Sequence, residues 1–441
     1  MPRSFPLPAD PSAPRPAAPA ALPGPARRRG LLAAGTVALL LATGCAASPS
    51  GAAHAGPGEP AGTPAAPAPS AGSAGTPSPT AEATAEAAAV RGAVEVLPGD
   101  GALEHNPVEP VLVHAGPEPL TGVVLRPAAG GTPVAGELAE GGSRWTSTED
   151  LAFDTAYVLE WTTGTGGGTS TFSTVSAAHE VDVRLNVAEG RVYGTGQVLE
   201  LRFSEPVVHR EAVERAVVVE GGGGHAGAFR WYDERTVRYR PAERWDPHTE
   251  VRVRVELLGL DVGHGMIGNA DVHRSFTVGA EHYAQVDNRT KTLTAWVDGE
   301  VVGTFPVTLG NPDWPSTTGK KVIMEQAPSY LFKASSLDLA PGDPHWYETF
   351  WASNVSRLTA SGEFVHEALP SAQPVLGTAN VSHGCIGMSP EGAKFVHDVF
   401  RPGDVVEVLH TGYPQADPDD GYGDWNIPFE HYADESWHGD W

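Results

Sequence analysis

The sequence predicts a mainly β protein built from several compact domains, and three observations lead there. A chain of 441 residues with 41% hydrophobic content is too long for one small domain and too apolar to be wholly disordered, so two to four cores are expected. Its 52 glycines and 40 prolines make up about one residue in five, which disfavours long helices and favours turn-rich β domains beside a flexible tract. Between Arg91 and Gly279, short β-rich runs alternate with turn residues at the spacing of a β-sandwich, roughly seven strands per hundred residues.

The first element is an address. The basic cluster Arg27–Arg29 runs into an apolar stretch ending at Cys45, too short to span a membrane comfortably as a mature helix, so residues 1–45 read as a secretory signal. Its end, Leu41-Ala42-Thr43-Gly44-Cys45, resembles the lipobox of bacterial lipoproteins, although Ala42 stands where lipoboxes prefer leucine. The resemblance implies lipidation at Cys45 and a protein anchored on the outer face of the cytoplasmic membrane. The competing reading is an ordinary signal peptide cut near Ala46, with Cys45 incidental. Residues 46–90 are almost entirely Ala, Pro, Gly, Ser and Thr, a composition that cannot bury enough surface to offset its ordering entropy, and they read as a disordered tether reaching into the cell wall.

Next come the sandwich strands, including Val94–Leu97, Val111–His114, Gly122–Leu125 and Tyr157–Trp161, then Val198–Phe203, Val217–Val219, Val237–Tyr239 and Val251–Glu256. Trp145, Leu151 and Thr155 precede the strand Ala156–Trp161, and Tyr239, Trp245 and Thr249 precede Glu250–Val255 with the same spacings, an offset of 94 residues. That is the size of one immunoglobulin-like sandwich, so two tandem copies are expected, at residues 91–175 and 176–279. Their aromatics Trp145, Trp231 and Trp245 read as core packing.

At His282 the character changes. Asp298-Gly299 between two alternating runs signals a two-residue hairpin. Ser389 as a capping hydroxyl before Pro390 opens one short helix, with Phe395, Val396, Val399 and Phe400 as its apolar face. The helix should stop at Arg401-Pro402-Gly403, with Asp404–Leu409 as a final strand. Residues 280–410 thus form a third domain, and 411–441 a flap packing back on the folded domains. The flap's Asp417, Asp419, Asp420 and Asp424 lack the grammar of a calcium loop and read as solvated.

Charge and cysteine content narrow the chemistry. With 29 basic against 54 acidic residues the net charge is −25, which repels nucleic acid. Two cysteines, Cys45 and Cys385, leave no disulfide framework or Cys-rich zinc site, and the histidines show no ligand spacing, so neither metal nor cofactor is expected. A nucleophilic thiol needs a base, because a free pKa of about 8.5 leaves little thiolate at neutral pH. His383 and Gly384 beside Cys385 suit such a site, the N–H groups of Gly384 and Cys385 being able to face an oxyanion. On spacing alone a buried, inert cysteine stays open.

Phe364-Val365-His366, fifteen intervening residues and then Ser382-His383-Gly384-Cys385 resemble the signature of the L,D-transpeptidases, cysteine enzymes that cross-link bacterial peptidoglycan. The similarity runs from about Gln285 to Asp424 and includes Gly319–Met324 and Gly423–Pro428. Actinobacterial members also carry a lipid anchor, a Pro/Ala tether and two immunoglobulin-like domains before a catalytic β-sandwich. The resemblance implies that Cys385 is the nucleophile and His366 its base, oriented by the carbonyl of Glu367, with His383 in support or as the alternative base. It matches Tyr347 to a tyrosine facing the acyl carbonyl and gives Ser382 a local hydrogen bond. Two departures stand out: Gly387 replaces the usual Asn or Arg two positions after the nucleophile, and Ser316-Thr317-Thr318-Gly319 replaces the usual T-P-T-G. The first implies altered donor or acceptor preference.

The reaction so implied transfers the third-residue acyl group of a tetrapeptide stem to the side-chain amine of a neighbouring stem, giving a 3→3 cross-link, and carbapenem β-lactams are the implied covalent inhibitors. A carboxypeptidase or other cysteine hydrolase of the same fold, and a wall-bound structural lipoprotein that has lost catalysis, are the alternatives.

Overall fold

The computed structural model describes residues 94–337, 339–439 and 441, so the expected signal, Cys45 and the tether lie outside the described residues. Residues 95–174 form two four-stranded sheets around a core that includes Val113, Leu125, Trp145, Tyr157, Leu159 and Phe172. In Ala156–Thr163 the buried Tyr157 and Leu159 alternate with more exposed neighbours, the period-two pattern of a strand with one covered face. In one sheet Leu112–His114 lies between Glu95–Leu97 and Arg144–Ser147. In the other, Gly167–Thr174 joins Ala156–Thr163 to Ala102–His105, the latter pair parallel.

The next sandwich repeats this order strand for strand. Leu199–Phe203 lies between Val183–Leu185 and Thr236–Pro241, and Val272–Val278 joins Glu250–Val255 to Arg191–Tyr193, again in parallel. The sequence repeat is thus a repeat of topology: Trp145 and Tyr239 sit on equivalent strands, and Leu151 and Trp245 are buried just after them. Trp145, Trp231 and Trp245 all pack in the cores. The second copy adds a seven-residue helix, Arg210–Ala216, too short for its periodicity to stand out in the sequence; it buries only Val213.

The third region is a nine-stranded sheet: β1 (His282–Asp287), β2 (Thr292–Val297), β3 (Glu300–Thr308), β4 (Gly319–Val322), β5 (Glu325–Phe332), β6 (Phe350–Arg357), β7 (Phe364–Glu367), β8 (Ile386–Met388) and β9 (Val405–Leu409). Their order is β4-β9-β1-β2-β3-β8-β7-β6-β5. Asp298 and Gly299 turn β2 into β3 with φ of 49° and 82°, the left-handed pair that a two-residue hairpin requires. The long β3 joins the halves: most of it pairs with β2, and its last residues, Val307 and Thr308, pair with Met388 and Gly387 of β8. Both halves share one core containing Val286, Leu293, Val365, Met388 and Val408, against which helix α1 (Pro390–Val399) packs Ala393 and Val396. Ser389 caps α1 by accepting from the Gly392 N–H at 3.1 Å.

One residue of the acidic C-terminal segment departs from expectation, whereas Asp417 and Asp419 are exposed. Asp424 is fully buried, not solvated, and accepts from the hydroxyls of Tyr232 and Tyr432, both at 2.7 Å, and from Arg238 at 3.2 Å. The cause is Arg238 in Thr236–Pro241, whose own buried cation requires a carboxylate nearby. Trp425 donates to the Gly196 carbonyl at 2.8 Å, and Asn426 bonds both backbone groups of Lys320, so the segment ties the second sandwich to the nine-stranded sheet. Gly194 lets the two approach: a Cβ there would meet Asp404 Oδ1 at 2.1 Å.

Candidate active site

Strands β7 and β8 run parallel with Val365 beside Ile386 and His366 beside Gly387. Side chains alternate along a strand, so His366, Gly387 and Cys385, the residue just before β8, share one face. That face lines a cleft of about 420 Å³, to which Tyr347, Ser382 and His383 also contribute.

Cys385 is 9% exposed and belongs to a hydrophobic cluster with Phe332, Ala352, Val355 and Phe364. Its thiol donates to the Gly362 carbonyl at 3.6 Å. Burial pushes the thiol up to about 12; the Glu363 carboxylate adds to this, while the Phe364 amide, Lys321 and Arg357 oppose it. His366 is 7% exposed, its ring 5.2 Å from that of Phe332. Nδ1 lies 2.8 Å from the Glu367 carbonyl, which can only accept, so Nδ1 carries the proton and Nε2 keeps its lone pair. Burial lowers the His366 pKa, with the Glu367 carbonyl opposing. Burial therefore favours the neutral form of both groups.

The loop before Cys385 is held at several points. Gly384 has φ of 110°, a conformation open to glycine. Ser382 Oγ donates to the Cys385 carbonyl at 2.6 Å, and Ser316 Oγ to the Gly384 carbonyl at 2.7 Å. Next to Ser316, Thr317 donates to Glu363 through its N–H at 2.7 Å and its hydroxyl at 2.9 Å. A proline at this position has no N–H to offer, so Thr317 is what allows the contact. Glu363, directly before β7, pairs with the buried Lys321 of β4, whose ammonium also reaches the Thr317 carbonyl at 2.8 Å. One buried polar network thus fastens the His366 strand to the Cys385 loop.

The remaining expected residues take up the cleft walls. Gly387 lies between His366 and Thr308 on neighbouring strands, and a Cβ there would come within 2.8 Å of Thr308 Cγ2 and 3.1 Å of Ala368 Cβ. Thr308 and Ala368 therefore fill the space that a side chain at 387 would need. His383 packs among aromatic rings, 5.3 Å from Tyr347 and 5.8 Å from Trp314. Burial lowers its pKa, and burial raises that of Tyr347. Among the described residues no group of three His, Cys, Asp or Glu is placed to hold a metal ion.

Residues 102–261 match the family described as bacterial Ig domain, and residues 281–408 match L,D-transpeptidase catalytic domain. The chain is 36% identical over 339 residues to L,D-transpeptidase 2 of Mycobacterium tuberculosis (strain CDC 1551 / Oshkosh), covering 76% of this chain and 82% of the relative. The chain belongs to the L,D-transpeptidase family. It is also similar to L,D-transpeptidase 5 of Mycobacterium tuberculosis (strain ATCC 25618 / H37Rv), at 27% identity over 77% of this chain and 76% of the relative. A crystal structure of L,D-transpeptidase 3 from Mycobacterium tuberculosis, in complex with a faropenem-derived adduct, is 27% identical with a TM-score of 0.45, over 53% of this chain and all of that one.

In this L,D-transpeptidase several residues in or behind the cleft escape sequence reasoning. Glu363 and Lys321 look like ordinary surface charges, because nothing in their local pattern marks the pair as buried; the lost proline at Thr317 is the one signal. Arg357, at the end of β6, also lines the cleft. Its charge sits in an apolar-aromatic strand environment, a mismatch legible only once β5, β6 and β7 are paired.

Proposed function

We propose that this enzyme forms 3→3 cross-links between tetrapeptide stems through a thioester on Cys385. The observation that carries the reading is the register of β7 and β8 together with the His366–Glu367 hydrogen bond: it sets a neutral imidazole with a free Nε2 on the same cleft face as the thiol. Because burial disfavours both thiolate and imidazolium, the proton leaves Cys385 for His366 as the sulfur attacks the carbonyl of the third stem residue. The backbone N–H groups of Gly384 and Cys385 suit the resulting oxyanion, and Tyr347 suits the acyl group's surroundings. The C–N bond to the terminal D-alanine then breaks, and the His366 imidazolium protonates that amine. In the second half, the side-chain amine of another stem attacks the thioester, His366 takes its proton, and the thiol is returned. Gly387 favours a changed stem preference, since a side chain is missing beside His366.

Purified disaccharide-tetrapeptides decide the reading. The expected products are free D-alanine and 3→3 dimers. Trimmed stems that are never joined would favour a hydrolase, and unreacted stems would favour a structural lipoprotein.

A further inference from the structure

Among the described residues lining the cleft, Arg357 is the one side chain with a permanent charge. It faces Phe364 across the β6–β7 ladder, and its guanidinium lies 4.5 Å over the Phe364 ring. Phe364 packs against Cys385, so the cation stands one aromatic ring away from the thiol. Four of its five N–H bonds are committed: Nε to Glu325 at 2.9 Å, Nη1 to the carbonyls of Thr359 at 3.2 Å and Ala360 at 3.1 Å, and Nη2 to the Tyr330 hydroxyl at 3.0 Å. One Nη2 hydrogen remains. The only carboxylate among these partners, Glu325, has a side chain 64% exposed against 18% for Arg357, so water screens the anion more than the cation. An aromatic-walled cleft therefore contains a braced, incompletely answered positive charge.

We infer that Arg357 is a specificity-determining residue that binds a carboxylate of the stem peptide held in the cleft. This rests on the proposed acyl transfer, in which the attacked carbonyl belongs to a third stem residue that carries a side-chain amine: one carboxylate source is the terminal D-alanine, and the second is the third residue's own side-chain carboxyl where that diamino acid is a dicarboxylic one. A guanidinium held by four hydrogen bonds loses little freedom on accepting an anion, and a charge-assisted hydrogen bond in a partly desolvated cleft discriminates acid from amide.

The test uses the full chain carrying Cys385→Ala and three tetrapeptide stems: all carboxylates free, D-alanine amidated, and the diamino acid amidated. Calorimetry should give about tenfold weaker binding for one of the two amides, which identifies the carboxylate, and Arg357→Met on the same background should bind all three alike. Equal affinities with Arg357 present, or a preference that survives Arg357→Met, would overturn the inference. If Arg357→Met does not fold, the solvent-exposed Glu325→Gln serves instead: it should tighten the free acid while leaving the amide unchanged, and no change in either counts against the assignment. Because binding is read without the thiol, a failure of acyl transfer in the native enzyme leaves this result interpretable by itself.

Discussion

Asp424 and Cys385 are both buried, and the protein treats them in opposite ways. Asp424 is surrounded by donors: two tyrosine hydroxyls and Arg238, which is itself paired with Glu200 at 2.9 Å. Nearby, Arg240 lies over the rings of Trp425, Phe429 and Tyr432 and donates to the Ile427 carbonyl at 2.6 Å. The Cys385 sulfur has only a weak contact with the Gly362 carbonyl and the Phe364 amide, and His366 beside it a single carbonyl partner. A cluster rich in partners fixes charge in place and holds two regions together. A cluster poor in partners keeps its titratable groups neutral and leaves their proton free to move when substrate arrives. The C-terminal segment is thus frame and the cleft machinery, although both are made from buried polar side chains.

Variants at the two clusters should therefore fail differently. His366→Ala should lower turnover by about 10²–10⁴-fold while the thermal transition stays near the native one, measured by D-alanine release and by calorimetry on the same samples. An active His366→Ala with an inactive His383→Ala would move the base to the neighbouring histidine. Asp424→Ala should instead cost about 3–5 kcal/mol of stability, because the buried hydroxyls of Tyr232 and Tyr432 would lose their acceptor and Arg238 would keep only Glu200 as a close carboxylate, and denaturant titration reads this directly. If Asp424→Ala proves as stable as the native protein, the C-terminal segment is not the frame described above.

The smallest effect sharpens the cleft side of the comparison. A thiol pushed up to about 12 is less ionised at every lower pH than an ordinary cysteine at about 8.5, so alkylation of the empty enzyme by a neutral reagent should be slow at pH 7 and still rising beyond pH 9. A rate already level between pH 6 and 8 would mean a preformed thiolate–imidazolium pair.

Much of this was legible in the sequence where a local rule fixes local structure. Asp298-Gly299 demanded a hairpin, Ser389-Pro390 opened α1 at the expected residue, and the 94-residue repeat marks two sandwiches of one topology. His366 and Cys385 stood out because short motifs surround them, and their meeting on adjacent strands needs only that the chain between them return to the sheet. What stayed hidden depends on partners remote in the chain. Asp424 reads as solvated because Arg238 lies 186 positions earlier, and nothing near Glu363 in the chain marks it because Lys321 is 42 positions away. Burial of a charge is a property of the pair, so neither member reveals it by itself. Arg357 is of the same kind, visible only once three strands are paired.

The central claim is that Cys385, with His366 and the Gly384 and Cys385 N–H groups, is assembled to take an acyl group. A carbapenem tests that half-reaction without any acceptor stem, because its strained carbonyl needs only the thiol, the base and the oxyanion donors. Intact mass spectrometry of the native enzyme after exposure should give one adduct per chain, absent in Cys385→Ala; a native mass that remains unmodified after prolonged exposure would contradict the account.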